Sequence, residues 1–250
     1  MMSLQRARYL ARRLGQELWS GQPPPSQFPW QDDEFTTWLR FINPGMLIPG
    51  NVAMFAYCVD HLSSDAPIVE IGSFAGLSLN HIIHLLRKRG RKNKVFSVDK
   101  WVFENADFSG RIGESCVRFD VYREHVIDTF RKNVELFSSD RLPHHIQANS
   151  DEFFSAWRSG KTVTDFFGHT VTLGGQIAFA YIDGAHTYEQ TLKDFENVDE
   201  NLVPGGFIVF DDSSDDGPFG STAAAKLAAS KSNYRLIGKN PNYAIQKTED

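Results

Sequence analysis

The stretch "AYIDGAHTYEQTLKDFENVDENLVPGGFIVFDD", residues 180–212, decides the fold. It begins at the end of an apolar segment, turns at Asp183 and Gly184, and continues as a polar segment with helical spacing. It then returns through Gly205 and Gly206 into a second apolar segment, which ends in two aspartates. Short apolar strands that alternate with helices are typical of a parallel sheet covered by helices. The stretch therefore predicts a strand, a helix and a second strand, with acids where both strands end.

The same alternation continues on both sides of this stretch. The pattern predicts five strands, in "PIVEIG", "KVFSVDKW", "HHIQANS", "QIAFAYIDG" and "GGFIVFDD". Helices are predicted after the first strand, in "LSLNHIIHLLRKRG", and after the fifth, in "STAAAKLAASK". The chain closes with two strands around an Asn-Pro-Asn turn, which predicts an antiparallel hairpin. The fold class is therefore α/β, with a doubly wound sheet.

The first 66 residues differ from the rest because they hold no strand pattern. Their arginine-rich start also resembles a transit peptide, but apolar residues at helical spacing favour an amphipathic helix up to the proline run Pro23–Pro25. Two further helices are predicted, in "DDEFTTWLRFI" and "PGNVAMFAYCVDHL". We expect residues 1–66 to be a helical extension and cover, and residues 67–250 to be the main domain. The irregular segment around Phe103, Phe108 and Phe119 is a predicted lid.

Composition excludes several classes of protein. The chain has 250 residues, a formal net charge of -5, and no clustered basic excess of the kind that nucleic acid requires. Two cysteines far apart provide neither a disulfide framework nor a thiolate zinc site. No apolar run approaches the length that spans a bilayer. We expect a cytoplasmic protein that binds neither nucleic acid nor membrane; the N-terminal helix would suit a contact in a homo-oligomer.

Acidic residues follow each of the five predicted strands. They are Glu70, Asp99, Asp151, Asp183 and the pair Asp211 and Asp212. Ligands of a doubly wound sheet bind beyond the carboxyl ends of its strands. We therefore expect these acids to meet at one rim and to form a binding site there.

The glycine spacing in the turn after the first strand distinguishes between two classes of nucleotide ligand. Counted from Gly72, the fingerprint of NAD-binding proteins requires glycines where Phe74 and Leu77 stand. A turn with only Gly72 and Gly76 suits a ligand that has no pyrophosphate, while Asp99 still offers an acceptor for ribose hydroxyls. This combination indicates S-adenosylmethionine. An NAD-dependent oxidoreductase is the alternative enzyme, and a methyltransferase-like protein that binds without catalysis is the alternative outside enzymes.

The segments "VEIGSFAGLS", "VFSVDKW", residues 180–212 and the closing hairpin together resemble class I S-adenosylmethionine-dependent methyltransferases, over about residues 67–250. The branch that they resemble most includes the metal-dependent O-methyltransferases of macrolide and aminocoumarin sugars. The resemblance implies a Rossmann-like sheet of seven strands in the order 3-2-1-4-5-7-6, with strand 7 antiparallel. It also implies the cofactor contacts: the methionine portion near Glu70, Gly72 and Ser73, the ribose on Asp99, and the adenine near Ser150 and Asp151. Gly76, in the same turn, is a further cofactor-binding residue.

The resemblance also implies a metal. The positions that bind Mg²⁺ in that branch correspond to Asp183, Asp211 and Asp212. Mg²⁺ prefers hard oxygen ligands, and three carboxylates on neighbouring strands would form half of its octahedral shell. The alternative is that these acids cap a turn and accept hydrogen bonds.

His186 follows Asp183 by three residues, in the loop after the fourth strand. Its near-neutral pKa suits a general base, and some members of the resembling branch have a histidine at this spacing in that role. His186 is therefore the candidate base, Asp183 is its competitor, and a structural role in holding the loop is the alternative. Together these features predict Mg²⁺-assisted methyl transfer to a hydroxyl of a small molecule, such as a sugar or another natural product.

Overall fold

The computed structural model describes residue 28 and residues 30–103 and 110–248. The helices are α1 (Glu34–Ile42), α2 (Pro49–Asp60), α3 (Leu77–Lys88), α4 (Phe119–Phe137), α5 (Ser150–Arg158), α6 (Tyr188–Asp199) and α7 (Ser221–Ser230). The strands are β1 (Ile68–Ile71), β2 (Val95–Val98), β3 (His144–Ile146), β4 (Thr162–Thr164), β5 (Thr170–Thr172), β6 (Ile177–Ile182), β7 (Leu202–Phe210), β8 (Tyr234–Lys239) and β9 (Tyr243–Lys247). The predicted N-terminal helix, the proline run and Phe108 of the predicted lid lie outside the described residues.

One sheet holds seven of these strands, in the order β3-β2-β1-β6-β7-β9-β8. Neighbours from β3 to β7 are parallel, whereas β9 is antiparallel to both β7 and β8. Numbered within the sheet alone, the order reads 3-2-1-4-5-7-6 with the seventh strand antiparallel. The predicted topology is therefore confirmed.

The central strands are apolar on both faces because helices cover both faces. Every residue of β1 and of β6 is buried, as expected for inner strands of a parallel sheet. On one face, α2, α3 and α4 contribute Phe55, Leu79 and Phe130 to a core cluster. On the other face, Trp157 of α5 and Phe195 of α6 pack into a second cluster. The doubly wound arrangement leaves the carboxyl ends of the parallel strands as the rim where a ligand can enter.

Helix α2 packs directly against the sheet. The Phe55 ring lies 4.7 Å from the Tyr181 ring and 6.0 Å from the Phe179 ring, between centroids. The sequence placed helix α2 in the N-terminal cover. These ring contacts show that α2 is also part of the hydrophobic core. The domain division at residue 66 stays a prediction. None of the helices in the described ranges has the length and apolarity that crossing a membrane requires.

The two-stranded sheet of β4 and β5 was not predicted from the sequence. Its strands have three residues each, and their threonines are exposed, so the segment shows too little hydrophobic alternation to be recognised. The tip of this hairpin packs beside β3: the Phe166 amide donates to the His145 carbonyl at 2.8 Å. The hairpin thereby covers part of an edge strand.

Candidate active site

The loop between β1 and α3 contains two glycines that adopt positive φ. Gly72 has φ +85° and Gly76 has φ +86°, a conformation that favours glycine. A Cβ atom on Gly72 would lie 2.0 Å from the carbonyl oxygen of Asp183. Glycine at position 72 therefore lets this loop lie directly against the end of β6, so that the predicted cofactor loop and the acid after β6 are neighbours.

Asp99, which follows β2, fixes this loop through its carboxylate. Oδ2 accepts hydrogen bonds from the backbone amides of Ser73 at 2.9 Å and Phe74 at 3.0 Å. Oδ1 accepts a hydrogen bond from the Trp101 amide at 2.6 Å. Burial raises the pKa of Asp99, and the three backbone donors oppose that shift. The carboxylate thus has a structural task that the sequence did not reveal, and its predicted contact with a ribose stays a prediction.

Glu70 lies inside the sheet beneath the loop and is fully buried. Its Oε1 atom accepts a hydrogen bond from the Ser78 hydroxyl at 2.5 Å, whereas Oε2 has no hydrogen-bond partner among the described residues. Burial raises the pKa of Glu70 to about 8. At neutral pH the carboxyl is therefore mostly protonated, and a cationic ligand group beside it would favour the ionised form.

Ser150 and Asp151 begin α5, and the structure joins both to α6. The Ser150 hydroxyl accepts a hydrogen bond from Gln190 at 3.2 Å, and Asp151 accepts one from Asn197 at 3.2 Å. The same Gln190 amide donates to Asp194, whose pKa is raised by burial to about 6. These contacts neither include nor exclude an adenine, and that assignment stays a prediction.

Asp183, Asp211 and Asp212 meet at the rim, as their predicted strand ends require. His186 lies between two of them: its Nε2 atom is 3.3 Å from Oδ1 of Asp183, and its Nδ1 atom is 3.5 Å from Oδ2 of Asp212. The backbone amides of Asp183 and Asp211 donate to the carbonyls of Ile71 and Ile182, at 2.8 Å each. Neighbouring strands therefore hold Asp183 and Asp211 in register with the end of β1, where the loop to α3 begins.

Burial and the neighbouring charges together set the pKa values of Asp183 and His186. Burial raises the pKa of Asp183, and the Asp211 charge raises it further, while the hydrogen bond with His186 opposes both. Burial lowers the pKa of His186, but the neighbouring carboxylates, above all Asp183, outweigh burial and raise it to about 9. His186 is therefore an imidazolium at neutral pH and partly neutralises the acids around it.

The predicted Mg²⁺ site does not fit this arrangement. Within the described ranges, no group of three His, Cys, Asp or Glu side chains is arranged to hold a metal ion. The imidazole of His186 lies between Asp183 and Asp212. Oδ1 of Asp211 is already engaged by side-chain amide donors. A metal bound to all three acids would require the histidine to leave its position.

Two buried asparagines in this cluster were not predicted. The Asn51 amide donates to Oδ1 of Asp211 at 2.5 Å and to the Tyr181 hydroxyl at 3.1 Å. The Asn242 amide donates to the same Oδ1 atom at 2.6 Å. Asn51 stands in a helix interpreted as a cover, and Asn242 in a motif interpreted as a turn. Only the tertiary contact reveals their role.

Comparisons with known proteins were made by sequence and by structure. A family model described as a methyltransferase domain matches residues 69–213. No curated protein matches the chain. An O-methyltransferase from Bacillus cereus, solved in complex with SAH, is 14% identical with a TM-score of 0.57, over 90% of this chain and 94% of that chain. The O-methyltransferase NovP is 16% identical with a TM-score of 0.55, over 97% and 99%. The calicheamicin methyltransferase CalS11 is 17% identical with a TM-score of 0.53, over 99% and 94%. At these identities, the structural likenesses concern the fold.

Proposed function

This chain belongs to the methyltransferase-domain family, and we propose that it is an O-methyltransferase that acts on a hydroxyl group of a small molecule, a sugar or another natural product. Family membership confirms the predicted class I methyltransferase and the prediction of an enzyme. It disfavours the NAD-dependent oxidoreductase and the non-catalytic binding protein. The observation that carries the proposal is the position of His186, between Asp183 and Asp212 at the rim beside the cofactor loop.

The residues around the loop fit S-adenosylmethionine. Gly72 and Gly76 keep side chains out of the turn, and Asp99 fixes its backbone. The buried Oε2 atom of Glu70 lacks a hydrogen-bond partner among the described residues, which suits the ammonium group of the cofactor's methionine portion. We assign Glu70, Gly72 and Ser73 to the methionine portion, with Gly76 in the same turn. We assign Asp99 to the ribose, and Ser150 and Asp151 to the adenine. When bound, S-adenosylmethionine supplies an electrophilic methyl group and leaves as S-adenosylhomocysteine.

His186 is the proposed acceptor of the hydroxyl proton. Its unprotonated form is scarce at neutral pH, because its pKa is raised to about 9. The same shift makes the neutral imidazole a stronger base, and Asp183 stabilises the imidazolium that forms when the proton arrives. Asp183 therefore orients the histidine and balances its charge.

The acceptor class follows from the polarity of the rim. Asp183, Asp211 and Asp212 offer oxygens that accept hydrogen bonds from hydroxyl groups, so a molecule with neighbouring hydroxyls suits them. The likeness to a calicheamicin methyltransferase supports a natural-product acceptor. Because the carboxylates do not fit a metal shell, we assign no step to Mg²⁺. A cytoplasmic location and a homo-oligomer stay predictions.

Two measurements test this function. Calorimetry should detect binding of S-adenosylhomocysteine and none of NAD⁺. Methyl transfer from ¹³C-methyl S-adenosylmethionine to catechol and to methyl α-L-rhamnoside, followed by mass spectrometry, tests an aromatic and a sugar diol. Binding of NAD⁺ without S-adenosylhomocysteine would overturn the methyltransferase assignment. Binding of S-adenosylhomocysteine without transfer to either diol would remove these two acceptor types.

A further inference from the structure

Asn51 and Asn242 form a closed hydrogen-bonded network with Asp211. Each asparagine uses its side-chain amide twice: Asn51 donates to Asp211 and Tyr181, and Asn242 donates to Asp211 and to Oδ1 of Asn51, the last at 3.0 Å. Oδ1 of Asn242 accepts a hydrogen bond from the Ser213 amide at 3.0 Å. Every polar atom of the two side-chain amide groups therefore has a hydrogen-bond partner. Both asparagines are fully buried.

The network acts on one oxygen of Asp211 only. Both amides donate to Oδ1, and Oδ2 accepts no hydrogen bond from the described residues. A carboxylate held through one oxygen has a fixed orientation, and its other oxygen keeps its capacity to accept. Asp211 lies close enough to Asp183 and His186 for its charge to raise the pKa of both. Asp211 therefore belongs to the same rim as Asp183 and His186.

The two asparagines come from elements that are packed tightly against each other. The turn between β8 and β9 approaches the first turn of α2 so closely that a Cβ atom on Gly50 would lie 1.7 Å from the Asn240 carbonyl oxygen. The Asn240 side chain also donates to the Gly50 carbonyl at 3.4 Å. We refer to the contact between residues 50–51 and 240–242 as the helix–hairpin joint. The joint therefore brings the two asparagines together through direct backbone contact.

We propose that Asn51 and Asn242 are positioning residues, which hold Asp211 so that its Oδ2 atom receives a hydroxyl of the acceptor. The inference rests on the proposed function, since it assigns Asp211 to the acceptor side of that site. It makes the helix–hairpin joint part of the site, although neither asparagine was predicted from the sequence. The asparagines act through Asp211 and do not themselves meet the acceptor.

Spectroscopy tests the positioning without any acceptor. In protein labelled with ¹⁵N at asparagine, the side-chain amide signals that disappear in Asn51→Ala and Asn242→Ala identify the two residues. These signals should shift in Asp211→Asn, because the carboxylate that they contact is lost, while the signal removed by Asn93→Ala should stay in place. Unchanged Asn51 and Asn242 signals in Asp211→Asn would overturn the proposal.

Kinetics test the consequence for the acceptor. With catechol or methyl α-L-rhamnoside as acceptor, Asn51→Ala and Asn242→Ala should raise the KM for the diol roughly tenfold, with S-adenosylhomocysteine affinity within about twofold of wild type. Asn93→Ala is the matched control: Asn93 is equally buried and donates to the Ser64 and Ala66 carbonyls away from the rim. It should lose stability without changing KM.

The outcomes separate this inference from the proposed function. Variants that lose stability as Asn93→Ala does, with an unchanged KM for the diol, would overturn positioning and leave the methyltransferase assignment intact. A wild-type protein that fails to bind S-adenosylhomocysteine would overturn the proposed function. If wild type methylates neither diol, the spectroscopic result decides whether the asparagines hold Asp211.

Discussion

The Nε2 atom of His186 lies 3.3 Å from the Oδ1 atom of Asp183. Burial lowers the pKa of His186, but this pairing and the charges of Asp212 and Asp211 raise it to about 9. The neutral base therefore becomes more abundant as the pH rises towards that value. We expect turnover to increase between pH 7 and 9 and then to level off. His186→Gln should reduce turnover about 100- to 10,000-fold and abolish this rise, while cofactor affinity stays near wild type. A mutant with most of its turnover and an unchanged pH profile would make His186 a residue that holds the loop.

The same pairing predicts a pH-dependent contribution to stability. A histidine whose pKa rises on folding from 6.5 to about 9 stabilises the folded state fully below pH 6.5 and loses this contribution as the pH rises through 9. The free energy of unfolding of wild type relative to His186→Gln should therefore fall between pH 6.5 and 9. Urea unfolding of both proteins at several pH values measures this difference. A constant difference would mean that the imidazolium is not paired.

Asp99 is expected to support cofactor binding, because its carboxylate fixes the loop at Ser73 and Phe74. Asp99→Asn should lower the affinity for S-adenosylhomocysteine roughly tenfold or more, since one backbone donor then faces an amide donor. A cycle with the 2′-deoxy analogue separates the two roles of Asp99. If Asp99 also binds the ribose, as the sequence predicts, the two losses are not additive. Additive losses would leave Asp99 with the loop alone.

Because the pKa of Glu70 is raised, we expect cofactor binding to release a proton. Its pKa of about 8 in the free protein keeps the carboxyl mostly protonated at pH 7, and an ammonium group beside it would favour ionisation. Calorimetry of S-adenosylhomocysteine binding in buffers with different ionisation enthalpies should show about one proton released at pH 7. Glu70→Gln is the control and should show none. Equal release by both proteins would assign the proton to another group.

Mg²⁺ should compete with the protonated His186, because both neutralise Asp183 and Asp212. We expect weak Mg²⁺ binding to wild type at pH 7, and tighter binding as the pH rises through 9 and the imidazole loses its charge. His186→Gln, which lacks that charge, should bind Mg²⁺ more tightly at pH 7. Calorimetric titration with MgCl₂ measures both affinities. Tight binding to wild type at pH 7, together with turnover that EDTA abolishes, would restore the metal predicted from the sequence.

Gly50 should not tolerate a side chain, because its Cβ atom would meet a backbone oxygen that cannot rotate away. Gly50→Ala is expected to destabilise the protein by about 1–3 kcal/mol through overpacking. Thermal unfolding measures the loss. A variant as stable as wild type would mean that the helix–hairpin joint can open without cost.

The strands were predictable from local patterns, and their order from the family resemblance. The buried runs of β1 and β6 and the turn of the closing hairpin are read directly from the residues. The prediction also placed Asp183, Asp211 and Asp212 at one rim, because the carboxyl ends of parallel strands lie at the same edge of a sheet. The sequence therefore predicted the position of these acids in the fold correctly.

The contacts of those acids were less accessible. The high pKa of His186 depends on its distance from two carboxylates, and spacing along the chain does not give distances. The metal expectation counted acids without knowing that an imidazole lies between Asp183 and Asp212. Asn51 and Asn242 carry no motif, because 191 positions separate them. Such contacts depend on tertiary packing, which local sequence patterns do not reveal.

The separation of Asn51 and Asn242 also bears on the order in which the site forms during folding. The contact of Asp99 with Ser73 spans 26 positions, whereas the asparagine pair spans 191. Closing a longer loop costs more entropy, and distant contacts form more slowly. We therefore expect the contact of Asp99 with the loop to form before Asn51 and Asn242 hold Asp211. Asp211 is expected to take its orientation late in folding, when the first turn of α2 meets the turn between β8 and β9.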